Sequence, residues 1–344
     1  MIFEKTDFSL KEHNTFGLDA RCRRYIEYTR PGDLPVLADD LCSQQWIALG
    51  QGSNILFRGD FDGMVLRSRI TQCDSKEDGE VVNLRIGAGL TMDEFVESAC
   101  LEGLWGLENL SGIPGTVGAS AVQNVGAYGV EASDVIKCVD CFDVKQREFV
   151  TLSRQECRFG YRDSIFKRDK GRYIVTHVTF SLRKTGAPNL DYGFLKERLE
   201  GKGVLAPTII REEIIDIRNG KLPRVGVIGS CGSFFKNPVM SLEKYNGIVA
   251  MQKNISGDGQ VPCYVNGDGS VKVPAAWFID RCGFKGYVCG NVAVWEKQPL
   301  VLVNLTGRAT ASELTELASK IIREVRETYG VILEREVEYV PGQV

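Results

Sequence analysis

Apolar residues recur along this chain at two spacings, and the switch between them outlines its elements. Alternation predicts strands over Val81–Gly87, Val139–Val150 and Tyr173–Leu182, and Arg23–Thr29 reads as another. Short apolar runs, Trp46–Leu49, Ile55–Phe57 and Leu300–Asn304, read as brief strands, the last one buried. Elsewhere the apolar positions fall three and four apart. Thr91-Met92-Asp93-Glu94 is a capping box, and its helix turns Phe95, Val96, Ala99 and Cys100 inward before Gly103 closes it. Thr208–Asn219 is predicted helical from Ile209, Ile210, Ile214, Ile215 and Ile217, ending at Gly220. Pro31 opens a helical stretch through Leu34, Leu37 and Leu41, and Pro274 opens Ala275–Arg281, closed at Gly283. A second capping box, Thr310-Ala311-Ser312-Glu313, starts a long amphipathic helix striped by Leu314, Leu317, Ala318, Ile321, Ile322 and Val325 and capped by Gly330. Val331–Val340 is then expected to return as a strand with Glu334, Glu336 and Glu338 on one face. Three such carboxylates mean an exposed edge, or one glutamate aimed at a site.

The stretch from Gly106 to Val130 follows neither spacing. Gly112, Gly115 and Gly118 recur every third residue, and Gly126 and Gly129 follow. Asn109, Ser111, Thr116, Ser120, Gln123 and Asn124 place polar atoms on short arms. Glycine lets a ligand approach the main chain, and the amides of such turns hold anions, phosphates above all. A solvated linker fits poorly, because Ile113, Pro114, Val117, Ala119, Ala121, Val122 and Val125 are interleaved with the glycines. Gly50-Gln51-Gly52-Ser53-Asn54 lies between two predicted strands, so it is not the strand–turn–helix fingerprint of a dinucleotide fold. It is either an ordinary hairpin turn or a second set of phosphate donors. Cys157–Lys167, CRFGYRDSIFK, sets Arg158, Arg162 and Lys167 among aromatics, as a cleft lining or a solvated charge cluster would. Asp191-Tyr192-Gly193 presents a tyrosine in a turn, and GSCGSFFKNP, Gly229–Pro238, repeats the pattern of small residues with a cation.

Composition removes several classes. At 344 residues the chain is too long for one small core and is expected to form two or three domains. A net charge of -3 argues against non-specific nucleic-acid binding, so any anionic ligand must be met by local Arg, Lys and main-chain N–H groups. Eleven cysteines are scattered, odd in number and not preceded by an apolar signal segment. They fit a reduced cytoplasmic protein using cysteine as a small buried residue, with no membrane span. Cys138 and Cys141 form a lone CxxC whose side chains would point to opposite faces of a strand. With only His13 and His177, neither a zinc site nor a histidine triad is expected, and no metal is assigned.

Taken in order, Asn14-Thr15-Phe16-Gly17, Gly50–Asn54, Gly106–Gly129, Tyr161–Lys167, Gly232–Pro238 and Leu333–Val337 resemble the UDP-N-acetylenolpyruvoylglucosamine reductase (MurB) family of bacterial peptidoglycan synthesis. The resemblance covers nearly the whole chain, and the Tyr192 loop is similar to that of the longer first subtype. It implies an α+β chain with an FAD-binding fold of the vanillyl-alcohol-oxidase (PCMH) type and a third α/β substrate-binding domain. The implied parts are residues 1–70 and 71–218 for FAD, 219–330 for substrate, and a C-terminal strand, 331–344, returning toward the site. It also implies that NADPH reduces the flavin, and that the flavin reduces UDP-N-acetylglucosamine enolpyruvate to UDP-N-acetylmuramate. A monomer is expected.

Residue by residue, the resemblance makes Gly50, Gly52, Ser53, Asn54, Gly112, Ile113, Pro114, Gly115, Thr116, Gly118, Ala119, Ser120, Gln123 and Asn124 the FAD cradle. Arg162 becomes a bidentate carboxylate clamp, Ser233 the proton donor, and Glu336 the group that polarises the enolate or relays protons. Tyr128, Tyr192, Arg218, Lys221, Asn237 and Gln298 are similar to the family's substrate contacts. Without the resemblance, Ser233 reads as a turn residue. Two departures stand out: Arg335 replaces a proline, and Cys231 replaces an alanine near the proton donor, where a thiol would be an oxidation liability. The competing enzyme reading is a flavin oxidase of the same fold. Such oxidases often tether FAD through His or Cys, and neither glycine-rich turn contains one. A non-enzymatic flavin-binding module would need no Arg162, Ser233 and Glu336 together.

Overall fold

Val81–Gly87 alternates half-buried and buried positions as its sequence predicts. In the computed structural model, which describes residues 1–191, 195–224, 226–256 and 259–341, it lies within a five-stranded antiparallel sheet. The order across that sheet is Glu148–Ser153, Ile136–Asp143, Tyr173–Arg183, Val81–Gly87, Cys73–Asp78. Cys73–Asp78 is exposed at every position, so it carried no alternation by which to find it. A four-stranded sheet in the order Ile2–Ser9, Arg21–Tyr28, Phe61–Ser68, Trp46–Ala48 has parallel pairs on both sides of Phe61–Ser68. Together with the helices α1 (Ala38–Ser43), α2 (Met92–Leu101), α3 (Val117–Gln123), α4 (Ile165–Arg168), α5 (Leu195–Leu199) and most of α6 (Pro207–Lys221), these sheets form one compact unit: Met1–Ser9, Arg21–Gly52 and Phe61–Asn219. Its largest core joins Phe95, Val96, Leu107, Val117, Val139, Val178 and Phe180, with the Phe95 and Phe180 rings 4.8 Å apart. Helix α6 runs through Gly220 to Lys221 instead of stopping before it, because that glycine keeps a negative φ.

The other compact unit collects Leu10–Ala20, Ser53–Asp60 and Gly220–Val344. Its antiparallel sheet runs Gly229–Ser233, Val301–Asn304, Val292–Val294, Val288–Cys289. Ala311–Tyr329, helix α9, lies against it. The Thr310 hydroxyl accepts from Glu313 N–H at 3.2 Å while the Glu313 carboxylate accepts from Thr310 N–H at 2.8 Å. Leu314, Leu317, Ala318, Ile321 and Val325 are buried, and Gly330 ends the helix at φ +63°. Helix α8 (Ala275–Arg281) adds Phe278 and Ile279 to the same core, beside Phe16, Phe234, Phe235 and Leu302. Helix α7 (Leu242–Ser256) is mostly exposed, and its weak apolar stripe left no sequence signal. Of the expected strand Val331–Val340, only Glu338–Val340 forms, parallel to Ile55–Phe57; the part before it is extended and touches the sheet through one bridge, Arg335 with Phe235. Trp46–Ala48 and Ile55–Phe57 therefore pair in different sheets, and the hairpin reading of Gly50–Asn54 is excluded. Among the described residues no helix is long and apolar enough to cross a membrane.

Candidate active site

The glycine-rich stretch is fastened at nearly every amide. Gly112 N–H donates to Asp93 Oδ1 at 2.6 Å, and Gly115 N–H to Gln51 Oε1 at 2.7 Å. Val117 and Gly118 donate to the carbonyls of Leu90 and Ala88 at 2.9 and 3.0 Å, Ala119 to Thr116 Oγ1, and Ser120 to the Thr116 carbonyl. The first turn of α3, which the sequence offers as an anion site, thus has its donors satisfied within the protein. Between Ser111 and Ser120, the amides with no acceptor among the described residues are those of Ile113 and Thr116.

The glycines serve close approach. A Cβ on Gly50 would stand 2.9 Å from Thr116 Oγ1, one on Gly118 2.8 Å from Ala88 Cβ, and one on Gly112 2.7 Å from Ile215 Cδ1. Gly112 and Gly115 also take φ of +69° and +132°. Gly50 of the first glycine-rich turn is therefore packed directly on the second glycine-rich segment, at a place any larger residue would fill. That packing leaves the amides of Ile113 and Thr116 as the donors for a phosphate, and in this the residues present fit FAD.

Asp93 is the hub of this region. Burial opposes its charge, but two bonds from Arg211 (2.5 and 3.2 Å), the Gly112 amide and the field of Arg218 outweigh it and hold the carboxyl below its usual value. Arg218 is half-buried, donates Nε–H to the Gly112 carbonyl at 3.1 Å and is hydrogen-bonded to Tyr128. Two of the expected substrate residues are thereby brought together, with Arg218 already engaged by the glycine-rich loop. Burial raises the Tyr128 hydroxyl, and Arg218 partly counters this. Tyr192 lies outside the described residues.

Arg162 sits at φ +56°, a left-handed conformation it shares with five other non-glycine residues, Asp7, Asn124, Tyr128, Arg147 and Arg158, among the described residues. Gly160 and Asp163 exchange main-chain hydrogen bonds around it, both 3.0 Å. Its Nη2 donates to the Gly126 carbonyl at 2.6 Å, and the guanidinium lies 5.2 Å from the centre of the Tyr161 ring. Asn124, expected in the FAD cradle, has another task. It caps α3 in a left-handed conformation, fully buried, while its amide donates to Gly160 O (2.9 Å) and Glu131 Oε2 (2.8 Å) and accepts from Ser133 N–H (3.0 Å). Every polar atom of that side chain is engaged, so it positions the Arg162 turn and has none left for a cofactor.

In the second unit, Ser233 ends Gly229–Ser233 with an exposed side chain, while Phe234 and Phe235 behind it are buried. Glu336 N–H donates to Phe234 O at 2.9 Å and Lys236 N–H to Glu334 O at 2.8 Å, so the Ser233 and Glu336 segments lie side by side. Asn54 Nδ2 donates to the Glu336 carbonyl at 3.2 Å, a main-chain anchor for the glutamate. The Arg335 guanidinium stacks 3.8 Å from the centre of the Tyr339 ring, which gives the residue replacing proline a packing role. Cys231 is buried, and burial with the nearby Glu336 charge pushes its thiol well above its usual value. A thiol of that kind is inert, so the expected oxidation liability does not fit. Asn237 Oδ1 accepts from Ala275 N–H at 2.9 Å at the start of α8. Lys221 is held through its carbonyl, which accepts from the Trp295 indole at 3.0 Å, and Gln298 lies in the turn before Val301–Asn304.

Gln51, Asp93 and Lys167 orient these groups without being site residues by any sequence pattern. Asp93 was hidden inside a capping box, and Gln51 inside the GQGSN turn. Among the described residues no cluster of His, Cys, Asp and Glu is placed to hold a metal.

Comparison with known proteins adds to this geometry. Residues 224–340 match the family model for the UDP-N-acetylenolpyruvoylglucosamine reductase C-terminal domain, and residues 41–152 match that for an FAD binding domain. A UDP-N-acetylenolpyruvoylglucosamine reductase of Porphyromonas gingivalis is 42% identical over 342 residues, 98% of this chain and 99% of the relative. One of Chromobacterium violaceum is 42% identical over 339 residues, 96% of this chain and 97% of its own. The crystal structure of the Thermus caldophilus reductase superposes with a TM-score of 0.67 at 24% identity, covering 98% of both chains, which speaks to the fold alone. The α+β, FAD-binding architecture expected from the sequence is the one found.

Proposed function

This chain belongs to the UDP-N-acetylenolpyruvoylglucosamine reductase family, and we propose that it reduces UDP-N-acetylglucosamine enolpyruvate to UDP-N-acetylmuramate in the cytoplasm, with NADPH as reductant, for peptidoglycan precursor synthesis. It is an FAD-dependent oxidoreductase by its family and its FAD binding domain. Bound FAD supplies hydride transfer, from the nicotinamide to the terminal carbon of the enolpyruvyl ether. On this reading residues 1–70 and 71–218 hold the cofactor, and 219–330 the UDP-sugar.

The observation that carries the proposal is the Arg162 turn. A planar double donor is held in a left-handed backbone conformation and tied to the helix that leaves the cofactor loop. Arg162 takes the enolpyruvyl carboxylate and steadies the negative charge that reaches it once the terminal carbon has been reduced. Ser233 Oγ then gives a proton to the α-carbon. A hydroxyl is a weak acid, so this step needs a strongly basic carbanion, and Glu336 relays the replacement proton. Gly50, Gly52, Gly112, Ile113, Gly115, Thr116 and Gly118 are the main-chain cradle for FAD, with Ile113 and Thr116 as its amide donors. Arg218, Lys221, Asn237 and Gln298, with Tyr128 and Tyr192, hold the UDP-sugar.

The test is anaerobic flavin absorbance of the purified protein, adding NADPH and then the enolpyruvyl UDP-sugar. Bleaching followed by recovery on the UDP-sugar is expected. Ser233→Ala should bleach normally and recover more slowly by a factor of about 100 to 10,000. Bleaching that reverses only with oxygen would replace the reductase by an oxidase, and a protein that takes up no FAD would end the flavin reading.

A further inference from the structure

Three side-chain bonds tie the Arg162 turn to the C-terminal end of α3. Asn124 Nδ2 reaches Gly160 O (2.9 Å), Ser164 Oγ reaches Val122 O (2.6 Å), and Lys167 Nζ reaches Gln123 Oε1 (2.8 Å). The first two hold the flanks of the turn. Lys167 alone of the three touches the arginine itself, because its Nζ also donates to the Arg162 carbonyl at 3.0 Å. We propose that Lys167 is a positioning residue for Arg162, fixing the peptide whose left-handed conformation aims the guanidinium and tying it to the helix that begins at the glycine-rich loop.

The residue type suits the task. An ammonium group is compact and carries three donors in different directions, so it can bridge a side-chain amide and a main-chain carbonyl that do not share a plane. Its charge also stands at the negative end of the α3 dipole. Helix α3 has seven residues, about 10 Å of rigid rod. One end lies in the loop that cradles FAD and the other under Arg162, so the Lys167 bridge determines how the clamp stands relative to the cofactor loop. Without it, a bond that holds the Arg162 peptide in its left-handed conformation, φ +56°, is lost. The peptide can then relax and carry the side chain with it. The proposal rests on the reading of Arg162 as the carboxylate clamp.

Stopped-flow measurement of the two half-reactions tests it in the flavin-loaded protein. In Lys167→Met, reduction by NADPH should stay within about twofold of the parent, while reoxidation by the enolpyruvyl UDP-sugar slows by about 10- to 100-fold. Lys167→Arg, which keeps a charged donor there, should recover most of that rate. In an Arg162→Lys background, Lys167→Met should cause little further loss, since the two act as one unit. Equal slowing of both half-reactions, or parental reoxidation in Lys167→Met while Arg162→Lys is slow, would overturn the proposal. If Arg162→Lys is itself silent, the clamp reading falls first. Should Lys167→Met fail to hold flavin, Lys167→Gln carries the same pair of measurements.

Discussion

Replacing Gly118 by alanine isolates the packing of α3 from its chemistry. The added Cβ would lie 2.8 Å from Ala88 Cβ and 3.2 Å from Ala88 O. Both carbons are fixed to main chain, so no rotamer change relieves the contact. Restoring an ordinary carbon–carbon separation of about 3.6 Å requires α3 to move by about 0.8 Å. That shift stretches the Gly118 and Val117 amide bonds to Ala88 and Leu90, now 3.0 and 2.9 Å. Overpacking of this kind costs about 1–3 kcal/mol and the weakened bonds about 1, while alanine returns about 1 kcal/mol of helix propensity. The net is a loss of about 2 kcal/mol, or roughly 4–8 °C in Tm for a unit of this size. The FAD Kd should rise on the order of tenfold, equivalent to one phosphate hydrogen bond. Thermal unfolding of the apoprotein and quenching of flavin fluorescence read the two effects. Gly247→Ala is the control: that glycine is exposed within α7 with nothing within 4 Å of its Cβ position, and the substitution should stabilise by about 1 kcal/mol. A Gly118→Ala protein that melts at or above the parental temperature and binds FAD normally would refute the reasoning.

Further predictions address other groups. A Cβ on Gly126 would stand 2.8 Å from Val130 O and 3.1 Å from Arg162 Nη1, so Gly126→Ala should raise KM for the enolpyruvyl sugar more than for NADPH in steady-state assays. Burial first, and then the charge of Arg85, lower the His177 pKa, while Asp140 and Asp74 act the other way. Its Nδ1 lies 2.9 Å from Arg85 Nη2, an arrangement suited to a neutral ring. Because the unfolded chain binds the proton more readily, this stabilisation is complete above about pH 6.5 and is lost as pH falls through the lowered native value. His177→Gln should flatten the fall of urea stability on the acid side of pH 6.5; an unchanged slope would rule this out. In the native protein, alkylation followed by mass spectrometry should label the exposed Cys42, Cys73 and Cys289 and spare Cys231, whose thiolate is suppressed by burial.

What could be read from the sequence was local. The Thr310 capping box, the stripe from Leu314 to Val325 and Gly330 specify α9 because caps and apolar spacing act within a few residues along the chain. The small-residue loop itself, though not that Ile215 and Ala88 rather than a ligand meet Gly112 and Gly118, was legible in the same way. Which amides those glycines leave for a ligand was not, since Asp93, Gln51 and Ala88 claim them from other elements. Asn124 looked like a ligand contact and proved to be a clamp for the same reason: its partners at Gly160, Glu131 and Ser133 come from separate segments. Cys73–Asp78 and α7 stayed silent because exposed elements need no periodicity in their apolar residues.

Only the tertiary structure could join positions that no short-range pattern relates. Asn54 anchors the carbonyl of Glu336, 282 residues away. Asn304 donates to Phe16 O across 288 residues, and Gly229 packs so tightly on that same carbonyl that a Cβ would come within 2.2 Å. The sequence by itself determined the elements, the small-residue loop and the residue types of the chemistry, because torsional preference and amphipathicity are properties of neighbours in the chain. Which of those residues bind and which merely hold others was decided in three dimensions, where each buried donor and acceptor must find a partner wherever the fold supplies one.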